Sequence, residues 1–230
     1  MRIGIIGTGI MARGLGAHWA RAGHELLIGG RSAAKAQDLA RTLGARSGTP
    51  EEAALFGEAT LLAVPYDAVA GVLASAGAGE GALRGRVLID CTNAVGPGFL
   101  LTTGPGPGAA RRIAAATGGR VVKAFSHVTG SLWQLPATGP TEAPHGSDAP
   151  HGSRAPEFPE GPLAVPLCGD DEAALDLVRT LVRDTGRVPL DGGGLERADQ
   201  LEAATAFLIG LWKTGQDPRA MLPPYEAATA

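Results

Sequence analysis

The sequence is poor in nearly everything that would mark a nucleic-acid binder, a membrane protein or a disulfide scaffold. Aromatic residues make up 4% of the 230 positions, and 20 Lys and Arg against 23 Asp and Glu leave a formal net charge of −3. No basic run interleaved with aromatics occurs, so neither nucleic acid nor an anionic lipid surface is an expected partner. Only two cysteines are present, Cys91 and Cys168, each at the end of an apolar run. That excludes a disulfide framework and a C-x-x-C metal or redox site, and it suits a reducing compartment. Apolar stretches stop well short of the roughly eighteen residues of a membrane span. The opening MRIGIIGTGI is interrupted by Gly4, Gly7 and Gly9 and has no cleavage region after it, so it does not read as a signal peptide. A cytoplasmic protein with a small neutral or anionic ligand is expected.

What is present is apolar residue enough for a buried core, 44% of the chain, arranged in short runs that alternate with helical patterns. The runs predict strands at Arg2 to Ile6, Glu25 to Ile28, Ala59 to Val64, Arg86 to Asp90 and Arg120 to Ala124. Helices fall between them, at about Ile10 to Ala22, Ser32 to Leu43, Asp67 to Ser75 and Pro107 to Ala116. Strand and helix in alternation give an α/β fold, a doubly wound parallel Rossmann-type sheet with helices on both faces. A small C-terminal α+β lobe is expected beyond it. It contains a strand at Leu163 to Cys168 and a helix after Asp170-Asp171-Glu172, whose apolar positions Leu175, Val178, Leu181 and Val182 share one face and which Gly186 stops. A short strand at Val188 to Leu190 then leads into a long helix near Leu195 to Lys213, with Ala198, Leu201, Leu208, Leu211 and Trp212 as its inward stripe.

Between the two parts, residues 136–162 hold eleven Gly or Pro in twenty-seven positions, and A-P-H-G-S occurs at Ala143 and again at Ala149. This stretch reads as a loop. His145 and His151 lie in the repeat without Cys or carboxylate partners at ligand spacing, so they read as loop residues and no metal is expected. The expected division is therefore a nucleotide-binding domain at 1–133, a loop at 134–162 and a lobe at 163–230.

The strongest local signal is Gly7-Thr8-Gly9-Ile10-Met11-Ala12, a G-x-G-x-x-A fingerprint between a strand and a helix, which is the context a dinucleotide site requires. Gly7 permits the turn, Gly9 leaves the backbone open to a pyrophosphate, and Ala12 keeps helix and sheet close, with Ile10 and Met11 opening the helix whose free N–H groups face the anion. Where an NAD site would usually carry an acid after the second strand, this chain has Gly30-Arg31-Ser32. Arg31, Ser32 and Lys35 are suited to a 2′-phosphate, which predicts NADP over NAD. Ala63-Val64-Pro65-Tyr66 and Asp90-Cys91-Thr92-Asn93 each follow a strand at the ligand-binding edge. Val64 and Pro65 would line the cofactor trough beside Ala63, and Thr92 or Asn93 would hydrogen-bond ribose or carboxamide or else cap a turn. Lys123-Ala124-Phe125-Ser126-His127-Val128 ends a further strand there. His127 is its one group suited to proton transfer near neutral pH, and otherwise a polar loop residue held by backbone.

These segments, with Cys168-Gly-Asp-Asp, Asp191-Gly-Gly-Gly and the stretch from Glu196 to Glu202, resemble NADPH-dependent coenzyme F420 reductases in order and over most of the chain outside 134–162. The resemblance implies a homodimer that passes a hydride between NADP and the deazaflavin of coenzyme F420. It also implies that Thr8, Arg31, Ser32, Lys35, Val64 and Pro65 contact NADP while Ser126, His127 and Val128 approach the deazaflavin. Three departures stand out: Gly30 where the family often has Ser, Ser126 where it often has Asn, and the length of the Pro/Gly loop, which could close as a lid. Hydride transfer between two rings needs proximity, orientation and exclusion of water more than a catalytic triad, and no G-x-S-x-G elbow occurs. Gly-Thr-Gly-Ile-Met-Ala is also similar to the opening of pyrroline-carboxylate reductases, although the helical dimerisation domain of those enzymes is lacking. An imine reductase would look to His127 or Tyr66 for its proton. A regulatory module that binds NADP without turnover is the non-enzymatic alternative.

Overall fold

A computed structural model describes residues 1–134 and 163–221. β1 (Arg2–Ile6) and β2 (Glu25–Gly29) run parallel, Arg2 opposite Glu25 and Ile6 opposite Gly29, with α1 (Ile10–Arg21) as the crossover. The same unit recurs through α2 (Ala33–Leu43), β3 (Arg46–Gly48), α3 (Pro50–Leu55), β4 (Ala59–Leu62), α4 (Val69–Ser75), β5 (Val87–Asp90), α5 (Ala109–Thr117) and β6 (Arg120–Lys123). β7 (Ala164–Gly169) then joins β6 in the antiparallel sense. After α6 (Glu172–Arg183), β8 (Val188–Asp191) pairs parallel to β7, and α7 (Ala198–Lys213) follows. The sheet order is β3-β2-β1-β4-β5-β6-β7-β8, so the strands after residue 163 extend one sheet. The order reverses at β1 and β4, which opens a crevice at the carboxyl edge.

Alternation along each strand decides what covers which face. Ile3, Ile5, Leu26, Ile28 and Leu61 point to one side, where Leu15 and Trp19 of α1, Leu39 of α2 and Val178 and Leu181 of α6 bury them. Ile6, Leu27, Leu62, Leu88 and Val121 point to the other, against Ala53, Val72, Leu73, Ile113 and Ala198. Each such apolar side chain taken fully out of water contributes about 1.5–3 kcal/mol. Gly4 explains how close α3 comes: a Cβ there would fall 1.8 Å from the Ala53 carbonyl oxygen.

Two expectations need correction. β3 and α3 were not anticipated, because β3 is three residues long and carries no apolar alternation. The signal for α3 was nonetheless present in Thr49-Pro50-Glu51-Glu52: the Thr49 side chain accepts from the Glu52 N–H, the Glu52 carboxylate accepts from the Thr49 N–H, and Pro50 opens the helix. In α7 Ala198 of the expected inward stripe is buried and Leu201 packs half-buried against the core, but the other buried positions are Glu202, Thr205 and Ala206, while Leu208 and Leu211 are half-buried and Trp212 is 37% exposed. A buried carboxylate sits in that helix because a cation waits for it inside the fold, as described below. The repeat with His145 and His151, and the lid expectation for 136–162, lie outside the described residues. Among the described residues no helix is long and apolar enough to cross a membrane, and no group of three or more His, Cys, Asp or Glu could hold a metal.

Candidate functional site

The turn from β1 into α1 holds two glycines required for different reasons. Gly7 has φ +134° and its Cβ would lie 2.1 Å from the Ala63 carbonyl oxygen, so the fold itself excludes a side chain there. Its N–H donates to the Gly29 carbonyl at 2.9 Å, tying β1 to β2 where the crevice begins. Gly9 caps α1 with φ −81° and ψ −169°, a conformation open to any residue, and a Cβ there would meet no atom of the described residues within 4 Å. Among those residues, nothing requires Gly9. What its missing Cβ leaves is a clear approach to the first amides of α1, which carry neither a side-chain cap nor an acid in the first turn. A helix start in that state attracts an anion.

Around this turn lies a cavity of about 420 Å³. Gly7, Thr8 and Gly9 form one wall, Arg31, Ser32 and Lys35 at the end of β2 another, and Ala63, Val64 and Pro65 after β4 the third. Among the described residues no carboxylate lines it, and neither Arg31 nor Lys35, both exposed, makes an ion pair. Ser32 caps α2, its Oγ accepting from the Lys35 N–H at 3.4 Å, so the hydroxyl is only loosely engaged. A guanidinium, an ammonium and a hydroxyl beside an anion-binding turn, with no acid for a ribose 2′-hydroxyl, form a donor set that fits the 2′-phosphate and diphosphate of NADP.

A second cavity of about 210 Å³ lies along the same edge and contains Met11, Asn93, Ser126, His127 and, from α7, Ile209 and Trp212. The turn beyond β6 is held in an unusual shape: Phe125 has φ +62°, its buried ring packed edge-on at 5.9 Å from Trp19 and 5.3 Å from Trp133. Asn93 Nδ2 donates to the Ser126 carbonyl at 2.9 Å. Among the described residues, Asn93 Oδ1, Ser126 Oγ and both ring nitrogens of His127 are shut off from solvent with no well-formed hydrogen bond. Buried polar groups left in that state await a partner, and the edge of a heterocycle bearing both N–H donors and carbonyl acceptors can supply one.

His127 is not a ready proton donor. Burial pushes its imidazole down to about 4, only partly offset by a weak interaction with the Ala164 backbone, so the ring is neutral at pH 7. Cys91 also lines the cavity, with its thiol donating to the Leu62 carbonyl at 3.2 Å, and burial beside Asp90 raises it to about 12. It is inert. Thr92 enters neither cavity: its amide donates to Asp90 Oδ1, and its buried Oγ1 has no hydrogen-bond partner among the described residues. Ile10 also lines neither, being 47% exposed and packed toward Gly130, and Tyr66 stands outside both.

Of the residues expected from the sequence, the first cavity thus gathers Gly7, Thr8, Gly9, Arg31, Ser32, Lys35, Ala63, Val64 and Pro65, while the second gathers Met11, Asn93, Ser126, His127 and Val128. Sequence reasoning missed Ile209 and Trp212. It also missed a buried charge network: Lys123 Nζ lies 2.9 Å from Asp90 Oδ2 and 3.1 Å from Glu202 Oε1, with all three side chains inaccessible. Lys123 Nζ donates further to the Thr92 carbonyl at 2.6 Å.

Comparison with known proteins adds to this geometry. A family model for NADP oxidoreductases that depend on coenzyme F420 matches residues 2–94. The F420-dependent NADP reductase of Methanothermobacter marburgensis is 30% identical over 230 residues, which cover 92% of each chain. The solved structure of a protein from Arthrobacter sp. FB24, described as a candidate F420-dependent NADP reductase, superposes with a TM-score of 0.72 at 23% identity, covering 94% of this chain and 96% of that one. An imine reductase from Streptomyces aurantiacus superposes with a TM-score of 0.59 at 22% identity over 93% of this chain and 65% of its own. At such identities the solved structures establish a common fold.

Proposed function

The chain belongs to the family of F420-dependent NADP oxidoreductases, and from that membership we propose that it transfers a hydride between NADP(H) and the deazaflavin coenzyme F420. The observation that carries the reading is the pair of cavities on one sheet edge. The phosphate-seeking cavity holds Gly9 and the second, ring-sized one holds Met11, so the first turn of α1 borders both. NADPH bound in this arrangement supplies the hydride.

The chain's own contribution is binding, orientation and exclusion of water. Arg31, Ser32 and Lys35 anchor the 2′-phosphate, the amides at the start of α1 receive the diphosphate, and Val64 and Pro65 form the trough under the nucleotide. Asn93, Ser126 and His127 offer hydrogen-bonding edges at the ring-sized cavity, and Val128 with the apolar faces of Met11 and Trp212 keeps water from it. His127 contributes as a neutral hydrogen-bond partner, one ring nitrogen donating and the other accepting, and not as an imidazolium acid. A conjugated acceptor tolerates this, because it delocalises the incoming charge and can exchange a proton with water afterwards. An imine needs an acid ready to protonate its nitrogen, and the groups lining the second cavity are poor acids at neutral pH: His127 is a neutral imidazole and the Cys91 thiol is held up at about 12. The protein acts in this reading as a cytoplasmic homodimer, with residues 1–133 as its nucleotide-binding portion and 163–230 completing the acceptor side.

The test is to mix the protein with NADPH and oxidised F420, then separately with a cyclic imine, and follow both chromophores. Stoichiometric loss of NADPH with bleaching of the deazaflavin supports the proposal. NADPH loss only with the imine, or NADPH binding without oxidation, overturns it.

A further inference from the structure

Lys123 ends β6, and its ammonium is fully buried between two carboxylates. Burial disfavours the charge, but Asp90 and Glu202 outweigh it and hold the ammonium above its ordinary value. The second negative charge is itself balanced. Glu202 Oε2 accepts from the Ala109 N–H at 2.8 Å and Oε1 from the Ala110 N–H at 3.1 Å, so the carboxylate also caps the positive end of α5. Beside it, Asp199 accepts from the Gly108 N–H at 2.9 Å. One cation and two anions are thus closed off at the junction of β5, β6, α5 and α7.

This junction sits behind the second cavity. By holding the Thr92 carbonyl, Lys123 fixes the residue before Asn93, and Asn93 in turn holds the Ser126 carbonyl. By holding Glu202, Lys123 fixes the rotation of α7. Ile209 lies seven residues further along that helix, two turns on and on the same face, about 10 Å along the axis. A buried ion pair contributes little net stability against an apolar replacement of the same shape, yet it admits few alternative registers, because any slip leaves charge unpaired. α7 needs such a device: its apolar residues surround the helix without marking one face, and Phe207 stands 58% exposed while Glu202 is buried.

We propose that Lys123 and Glu202 are positioning residues for the acceptor, an ionic key that sets the Thr92–Asn93 turn and the rotation of α7 so that Asn93, Ser126, Ile209 and Trp212 converge on one ring. The key acts through those residues and touches neither substrate. The proposal rests on the reading of the second cavity as the acceptor site. It assigns no part to the Arg31 cavity, which is built on other strand ends.

The test compares the wild-type protein with Glu202→Gln, nearly isosteric, and Lys123→Met. Three quantities are measured: the KM for oxidised F420, the NADPH dissociation constant by fluorescence, and acrylamide quenching of tryptophan emission. Trp19 and Trp133 are fully buried, so the quenchable emission comes from Trp212 on α7. Loss of the key should raise the F420 KM about tenfold, as expected when acceptor contacts are lost, while the NADPH constant changes less than about twofold and Trp212 quenching steepens. An unchanged KM, or a parallel rise in both constants, overturns the proposal, since the first removes any effect and the second is general loosening. If wild-type protein fails to reduce F420, the assigned reaction falls while the key is still judged by NADPH binding and quenching. Unaltered quenching in Glu202→Gln would then refute it. Should Lys123→Met fail to fold, Glu202→Gln decides alone.

Discussion

Gly9→Ala separates a glycine kept for a ligand from one kept for the fold. The added methyl group meets no atom of the described residues within 4 Å, and φ −81° with ψ −169° suits alanine, so the folded chain is not strained. The unfolded chain loses freedom, worth about 0.4–1 kcal/mol in favour of the variant, so its melting temperature should stay level or rise slightly. Binding should suffer instead. A methyl group at the helix start holds the diphosphate away from the α1 amides, and losing even one charge-assisted hydrogen bond of about 1.5–3 kcal/mol weakens NADPH by about 10- to 100-fold. Gly7→Ala behaves in the opposite way. Its Cβ would fall 2.1 Å from the Ala63 carbonyl oxygen at φ +134°, so stability drops by at least about 2 kcal/mol before any ligand is added. Thermal unfolding without ligand and fluorescence titration with NADPH measure both effects. If Gly9→Ala bound NADPH as tightly as the unaltered chain, or melted as early as Gly7→Ala, the account of the turn would be wrong.

Arg31→Ala should weaken NADPH about 10- to 100-fold while hardly changing NADH, because the guanidinium serves the 2′-phosphate alone; equal losses for the two nucleotides would remove that role. His127 predicts a pH-dependent stability. The unfolded imidazole takes a proton below about 6.5 and the folded one only below about 4, so stability falls as pH drops through that window, by roughly 3 kcal/mol in all, and is flat above it. Urea unfolding of the wild type and of His127→Phe across pH 4 to 7 checks this, the variant lacking that component. Asp171 caps α6 by accepting from the Ala174 N–H at 2.8 Å, and Asp171→Ala should cost about 1 kcal/mol in denaturant unfolding without altering nucleotide affinity.

The first cavity was legible in the sequence because it is nearly local. Gly7, Gly9, Arg31 and Pro65 each stand at a strand end that an apolar run announces, and the run of strands brings those ends together. The second cavity was half legible for the converse reason. Ser126 and His127 follow a strand, but Ile209 and Trp212 reach the same space only because α7 turns Glu202 inward, and a buried glutamate is invisible without knowledge of Lys123. Protonation was equally out of reach: a histidine in sequence is a group near 6.5, and only tertiary burial pushes it to about 4. β3 leaves no apolar period because an edge strand of three largely exposed residues buries too little to show one, and α3 leaves none because six residues are too short to show a helical one behind their cap.

Trp19 on α1 sends its indole N–H to the Leu181 carbonyl of α6 at 3.0 Å and is wholly enclosed. The helix that starts at the nucleotide turn is therefore roofed by chain that comes more than 150 positions later. A fragment ending near residue 133 would keep every element of the glycine turn and Arg31 yet leave an indole and its neighbours bare. The nucleotide portion is thus no portable cassette: grafted elsewhere, it must bring α6 with it or acquire a substitute roof.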